Sequence, residues 1–284
     1  MADPVTGARY VYNDPKTTTD PAWWGGEPIW VGAERQGVRT ATMFWPGSDV
    51  VIGGVRPGRW LSYDGRVTAT QRVDKVLEWL DSPPTRRPRL ITLYFDQVDH
   101  AGHDGGPDSA GVDDAIAEID AALRRLLDGL AVRGLRESTN LVIVSDHGLA
   151  PISRDRLIYV DDLIDPDLAG AVVLGVLAGF QPKPENEARV AATLLAPHEH
   201  MQCWRKQDMP ARFRYGSNAR IPPIVCLAEL GWIVTTHDYV AKYKKPPPKG
   251  EHGYDNDAPE MRALFVAHGP AFRRGLVVPE FDNV

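Results

Sequence analysis

A chain of 284 residues with 43% hydrophobic residues is long enough to bury a sizeable core as one large α/β domain. The net charge is −6 and no long basic run occurs, so a polymeric nucleic acid is not indicated as a partner. A small anionic substrate stays compatible with this charge, because a metal centre can supply the positive potential. No stretch of about 18 apolar residues occurs, and no transmembrane segment is predicted.

The first part of the chain predicts a helix and a strand that lead into a long loop. Residues 1–22 are rich in turn formers and predict loop, and the next apolar face predicts a helix that stops at Gly37. Residues 38–45 predict a strand. Ser48 follows it without the flanking glycines of a nucleophile elbow and is interpreted as a loop residue. Tyr63 lies near the end of this loop, and its residue type alone predicts no more than a contact at the edge of the core.

The next stretch changes from apolar to metal-ligating chemistry. Apolar residues at helical spacing predict a helix over 67–81, and an apolar run from Leu90 predicts a buried strand. A polar, glycine-rich segment follows this strand and contains Asp96, Asp99, His100, His103 and Asp104. Since Asp99 and His103 are four residues apart, one helical turn or one tight loop can direct both at a single cation. A carboxylate combined with an imidazole suits zinc better than calcium or magnesium.

Two further segments repeat this design. A long amphipathic helix is predicted from Ser109 or Asp113 to Gly134, and a strand over 141–144 precedes Asp146 and His147. Strand, helix and strand at this spacing predict a βαβ unit in a largely parallel sheet. The third segment, GEHGYDN, places His252 between two glycines. An isolated Asp-His pair is more often a capped turn, but three such segments together predict a shared metal centre.

The region 151–249 is predicted to be an insertion or lid between the second and third of these segments. A strand over 171–177, a helix over 185–195 and short strands over 224–226 and 232–235 are predicted within it, and the proline run 246–248 is interpreted as a stiff linker. A final strand is predicted within 261–267. The two cysteines, Cys203 and Cys226, either pair or are both free, and the sequence leaves both alternatives open.

Several motifs together resemble one family. They are GEPIW (26–30), FWPGSDVVIGGVRP (44–57), TLYFDQVDHAGHDGGP (92–107), VSDHG (144–148), RIPPI (220–224), GEHGYDN (250–256) and LFVAHGPAF (264–272). In this order they resemble the nucleotide pyrophosphatase/phosphodiesterase (type I phosphodiesterase) family of the alkaline phosphatase superfamily. The resemblance implies an alkaline-phosphatase-like α/β fold, with a mostly parallel sheet between helices, and a zinc-dependent hydrolase of nucleotide phosphodiester and pyrophosphate bonds.

The resemblance also implies roles for individual residues. It assigns Asp99, His103 and His252 to one zinc ion, and Asp146 and His147 to two of the three ligand positions of a second zinc ion. It assigns Tyr63 to stacking on the nucleotide base. In the family, another Asp ligand and the Thr or Ser nucleophile lie upstream of the segment that matches residue 1. Residues 1–284 are therefore expected to form a single incomplete catalytic domain, truncated at both ends, with one complete three-ligand site.

Two alternatives remain beside the hydrolase. One is a catalytically inactive remnant that binds zinc and nucleotide. The other is a phosphomonoesterase or sulfatase-like member of the superfamily, which the flanking GHDGGP and GEHGYDN motifs disfavour. The family resemblance implies a secreted or periplasmic protein.

Overall fold

The computed structural model describes residues 1–242 and 248–282. Pro246 and Pro247 of the predicted linker lie outside these residues. The helices are α1 (Pro15–Thr18), α2 (Ile29–Arg35), α3 (Ala69–Leu80), α4 (Gln97–Gly105), α5 (Ala110–Val132), α6 (Glu187–Leu194) and α7 (His237–Lys242). The strands are β1 (Thr40–Met43), β2 (Arg59–Leu61), β3 (Leu90–Leu93), β4 (Leu141–Val144), β5 (Ala150–Pro151), β6 (Leu157–Tyr159), β7 (Ala169–Val173), β8 (Leu177–Pro182), β9 (Met201–Arg205), β10 (Ile224–Ala228), β11 (Ile233–Thr235), β12 (Gly250–Glu251) and β13 (Phe265–His268). Within the described ranges, no helix combines the length and apolarity needed to cross a bilayer.

A parallel sheet in the order β2-β1-β3 supports the amino-terminal half. Its central strand is buried throughout, and α3 and α5 pack in the hydrophobic cluster that covers it. Helix α3 starts at a capping box, in which the Thr68 hydroxyl accepts the Gln71 N–H while the Gln71 side chain accepts the Thr68 N–H. Gly129 of α5 allows Leu77 of α3 to approach closely. The α/β fold class predicted from the strand and helix periodicities is confirmed.

Strands β3 and β4 are joined by α5, as the βαβ prediction requires, but they lie in different ladders. Strand β4 pairs antiparallel with β13 instead of pairing with β3. Among the strands that the structure describes, β3 and β4 therefore each keep one edge unpaired. Apolar side chains of the β4–β13 pair are also exposed: Val142 by 48%, Val144 by 52% and Val266 by 46%. An apolar strand exposed in this way is unusual for the inside of an α/β fold, where strands are covered.

The region predicted as an insertion, residues 151–249, contains most of a second hydrophobic cluster. A four-stranded antiparallel sheet in the order β7-β8-β10-β9 and helix α6 form its main part, and β6 and β11 make a separate parallel pair. The single strand predicted over 171–177 is wrong, because the chain turns between β7 and β8. Gly175 lies in this turn with a φ of 141°, a conformation that favours glycine.

The two cysteines form a disulfide with an S–S distance of 1.99 Å. Cys203 of β9 and Cys226 of β10 lie directly opposite each other in the antiparallel ladder. Of the two alternatives that the sequence leaves open, the structure therefore selects pairing. Disulfides of this kind persist in oxidising compartments.

Candidate metal centre

Helix α4 places the first two ligand candidates on one face. The helix begins four residues after β3 ends, and Asp99 and His103 are four positions apart along it, so both side chains project from the same side. The His103 Nε2 lies 3.4 Å from the Asp99 Oδ1. Gly102, between them, is buried against Leu149, and a Cβ at this position would collide with the Leu149 side chain. The absence of a side chain on the inner face of α4 lets the helix sit close to the following segments.

The third candidate comes from β12 and the turn after it. Strand β12 packs so closely on α4 that a Cβ on Gly250 would lie 2.5 Å from the Gly102 carbonyl oxygen. The His103 Nδ1 lies 2.8 Å from the Gly250 carbonyl oxygen, and since that oxygen only accepts, Nδ1 carries the proton and Nε2 is free to bind a cation. His252 directs its Nε2 to within 3.7 Å of the same Asp99 oxygen.

The three side chains form one ligand group. Their donor atoms all lie within 4.8 Å of one another. The Asp99 Oδ1 is buried and has no hydrogen-bond partner among the described residues. Zinc bonds of about 2.0–2.2 Å in tetrahedral geometry give ligand separations of about 3.3–3.6 Å, close to the two N···O distances found here. An orphaned carboxylate oxygen faced by two imidazole nitrogens is a donor set that fits zinc.

Burial shifts the pKa of two groups at this site, His252 and Glu251. Burial, followed by the neighbouring His147, lowers the pKa of His252 below its ordinary value, so the neutral imidazole, which is the ligand form, is favoured. Glu251, whose Oε1 lies 3.8 Å from the His103 Nδ1, has its pKa raised, first of all by burial. Sequence reasoning did not single out Glu251, although it directly precedes His252.

The second pair of predicted ligands, Asp146 and His147, lies beside this group. They follow β4, and the His147 ring stacks on the His252 ring with a centroid distance of 3.6 Å and an angle of 12° between the planes. The His147 Nε2 lies 3.5 Å from the Asp146 Oδ2, and the Asp146 side chain is 79% exposed. The structure thus brings all five predicted ligands to one place, but the three-ligand group contains only Asp99, His103 and His252.

Backbone packing holds the loop that carries this second pair. The Gly148 N–H donates to the Met261 carbonyl, and a Cβ on Gly148 would collide with the Glu260 carbonyl oxygen. The His147 Nδ1 lies 2.8 Å from the Gly148 carbonyl oxygen.

Other polar residues singled out in the sequence lie outside the ligand group. His100 is 66% exposed, with its Nδ1 3.5 Å from the Asp96 Oδ2. The Ser48 hydroxyl donates to the Trp45 carbonyl at 2.7 Å and belongs to a turn.

Tyr63 reaches the start of α4. Its ring is half exposed, and its hydroxyl donates to the carboxylate of Asp96, the residue that precedes the helix. Asp96 in turn pairs with Arg72 of α3. Sequence reasoning missed Arg72, although it falls on the buried face of α3 together with Ala69, Val73 and Val76, where a charged residue indicates a buried partner.

The structure is an α/β fold in which aspartates and histidines that follow β3 and β4 gather with His252 at a candidate metal site. Comparison with known sequences specifies the family: a family model described as type I phosphodiesterase/nucleotide pyrophosphatase matches residues 1–255. The chain belongs to this family of phosphodiesterases and nucleotide pyrophosphatases.

Individual relatives agree with this assignment. An uncharacterised pyrophosphatase/phosphodiesterase of Schizosaccharomyces pombe is 36% identical over 99% of this chain and 60% of its own length. A venom phosphodiesterase of Crotalus adamanteus is 35% identical over 94% of this chain and 34% of its own length. Among solved structures, murine ectonucleotide pyrophosphatase/phosphodiesterase 5 superposes with a TM-score of 0.87 at 32% identity, covering 96% of this chain and 71% of that chain. The chain thus spans between a third and three fifths of these two curated relatives.

Proposed function

We propose that this chain carries part of the active site of a zinc-dependent hydrolase of nucleotide phosphodiester and pyrophosphate bonds. The observation that supports it best is the convergence of His103 and His252 on the buried Asp99 Oδ1, which has no hydrogen-bond partner among the described residues. When bound, zinc supplies Lewis-acid polarisation of a phosphoryl oxygen and lowers the pKa of a coordinated nucleophile. The chain's own contribution is to hold these ligands: the Gly250 carbonyl fixes the His103 ring, and burial keeps His252 neutral.

The proposal includes a second zinc ion, held in part by Asp146 and His147. Its support is the family resemblance together with the stacking of His147 on His252, which places the two sets of ligands side by side. Its third ligand and the nucleophile are proposed to come from a segment outside these 284 residues. The edges of β3 and β4 that no described strand pairs with support this, because a further strand there would end beside the ligand group.

Tyr63 is proposed to bind the nucleotide base. Its exposed ring lies at the start of the helix that carries two metal ligands, so a nucleotide whose phosphate binds the metal has its base within reach of the ring. A solved structure of an inactive form of murine ectonucleotide pyrophosphatase/phosphodiesterase 5 contains AMP. We propose that this chain binds a nucleotide as well.

One alternative retains specific support. Since only three of the five proposed ligands form a group among the described residues, this polypeptide alone is proposed to be a zinc- and nucleotide-binding domain with little turnover. The third hypothesis, a phosphomonoesterase or sulfatase-like enzyme, is disfavoured because similar proteins are named as phosphodiesterases and nucleotide pyrophosphatases. The disulfide and the likeness to venom and ectonucleotide enzymes support a secreted or periplasmic location.

The test combines zinc binding and turnover. Zinc affinity is measured by calorimetry, and hydrolysis of the p-nitrophenyl ester of thymidine 5′-monophosphate is followed by released nitrophenolate. His252→Ala is compared with His268→Ala, which removes an exposed histidine outside the ligand group. Zinc binding that is lost only in His252→Ala supports the metal centre, and unchanged binding in both variants would refute it.

Turnover then distinguishes a hydrolase from a domain that only binds zinc and nucleotide. Hydrolysis by the 284-residue chain that disappears in His252→Ala supports a self-sufficient hydrolase and contradicts the need for a further segment. Zinc binding without hydrolysis supports the binding domain. Hydrolysis recovered in a gene product extended upstream of residue 1 would then assign the nucleophile to that extension.

A further inference from the structure

A buried ion pair lies at the junction of α3, β3 and α4. Asp96 is 5% exposed and Arg72 is 1% exposed, and the Asp96 Oδ1 lies 2.7 Å from the Arg72 Nη1. The Arg72 guanidinium also donates to two backbone carbonyls, those of Val67 and Tyr94, each at 3.0 Å. With three acceptors around it, the guanidinium is well satisfied, and the position of Asp96 is fixed relative to both α3 and β3.

The other oxygen of the Asp96 carboxylate serves a different partner. Its Oδ2 accepts the Tyr63 hydroxyl. Burial is the largest single effect on Asp96 and opposes its ionisation, but the Tyr63 hydroxyl and Arg72 together hold the pKa of Asp96 below its ordinary value. Burial and the hydrogen bond to Asp96 raise the pKa of Tyr63 to about 12. The bond therefore joins a phenol that keeps its proton to a carboxylate that stays ionised, which is a strong hydrogen-bond type.

Two side chains lie against the Tyr63 ring. Phe44 packs against it edge-on with a centroid distance of 5.5 Å, and the Arg72 guanidinium lies 5.9 Å from the ring centroid. Even so, Tyr63 is 51% exposed. An exposed aromatic side chain usually samples several rotamers, whereas this ring is tied at its hydroxyl to a buried, doubly held carboxylate.

We propose that Asp96, itself held by Arg72, is a positioning residue that fixes the Tyr63 ring relative to the metal ligands of α4 and so determines the preference for phosphodiesters that carry a base. The inference rests on the proposed function of this site. Asp96 immediately precedes α4, so one rigid junction sets the base-contacting ring and the Asp99–His103 pair at a fixed separation. A pre-ordered ring stacks on a base without the entropic cost of immobilising it at binding.

The variants distinguish the contact between the Tyr63 hydroxyl and Asp96 from the aromatic ring itself. Tyr63→Phe keeps the aromatic ring and removes only the hydroxyl that Asp96 holds. Asp96→Asn keeps the shape of the side chain and weakens its contacts with Tyr63 and Arg72. Tyr12→Phe, at an 83% exposed tyrosine, is the matched control.

The measured quantity is a selectivity ratio. In the zinc-loaded protein, kcat/KM for the p-nitrophenyl ester of thymidine 5′-monophosphate is divided by kcat/KM for bis(p-nitrophenyl) phosphate, which has no base. Base–aromatic stacking is strong enough for Tyr63→Phe to lower this ratio about threefold to tenfold, mainly through KM of the nucleotide ester. Asp96→Asn is expected to lower it similarly, and the double variant no further than either single one, because both act through one contact. Where turnover is too slow to measure, the ratio of AMP to inorganic phosphate affinity is used in the same way.

The outcomes are distinct. If Tyr63→Phe leaves the selectivity ratio at its wild-type value, the positioning role is refuted and the proposed function stands. Additive losses in the double variant also refute the positioning role. A wild-type protein that binds neither zinc nor AMP and hydrolyses neither ester refutes the proposed function and this inference with it. If Asp96→Asn does not fold, Tyr63→Phe alone decides, since it changes only a partly exposed hydroxyl group.

Discussion

Removing the disulfide tests the strand register of residues 151–249 most directly. Cys203→Ala/Cys226→Ala breaks a cross-link between residues that are 23 positions apart. The chain-entropy relation for a closed loop of that size gives a loss of about 3 kcal/mol in the free energy of unfolding. The native strands need not move, because β9 and β10 are also held by the backbone bonds of a five-residue ladder. The loss therefore arises mainly in the unfolded state.

The assay is urea unfolding followed by tryptophan fluorescence, since Trp204 lies next to Cys203 in β9. The oxidised wild-type protein is expected to unfold at a higher urea concentration than the double variant, and with a smaller dependence on urea because a cross-linked unfolded chain exposes less surface. A reductant should move the wild-type curve towards that of the variant and leave the variant unchanged. Coincident curves for oxidised and reduced wild type, or two titratable thiols in the oxidised protein, would refute the disulfide and remove its support for the register of β9 and β10.

Three further predictions concern the site. Gly148→Ala is expected to weaken zinc binding and lower the melting temperature, because the new Cβ would collide with a backbone oxygen that cannot move aside. Gly111→Ala, at an exposed helical glycine, is the control, and equal effects of the two substitutions would contradict the packing of the loop that carries His147. Asp96 has a lowered pKa, so its ionised form stabilises the fold at neutral pH. The difference in unfolding free energy between wild type and Asp96→Asn should therefore shrink as the pH falls through that lowered pKa. A difference that stays constant with pH would exclude the buried pair with Arg72 as its origin. Zinc at about 100 times its Kd should add about 2.7 kcal/mol to the unfolding free energy of the wild type and nothing to that of His252→Ala, as measured by thermal unfolding; equal stabilisation of both would place the ion elsewhere.

The side chains of the candidate metal site could be singled out in the sequence because some of them carry local signals. Asp99 and His103 have helical spacing directly after an apolar strand, and the elements on either side are strongly periodic. The third ligand, His252, needed the assumption that separate loops converge, which the parallel sheet makes reasonable. The position of each side chain could not be predicted, because it depends on contacts such as that between Gly102 and Gly250, where two distant backbones meet without side chains.

The contacts of Tyr63 had no local signal. The tyrosine and Asp96 are 33 residues apart, and nothing in the spacing connects them. The same holds for the cysteines, whose pairing follows from strand register rather than from sequence distance. The error at residues 171–177 has a different cause, since β-branched and apolar residues continue through the turn and only Gly175 interrupts them.

The contact between His103 and the Gly250 carbonyl joins positions that are 147 residues apart in the chain. An ion held by Asp99, His103 and His252 would therefore cross-link the two ends of one long loop. This loop contains α5, β4 and the 151–249 region. Closing so long a loop is entropically costly in an unfolded chain, so the ion would favour the native connection of the two halves by mass action. Zinc affinity would then report on the folding of this entire loop, and a destabilising change far from the ligands would weaken metal binding without touching any of them.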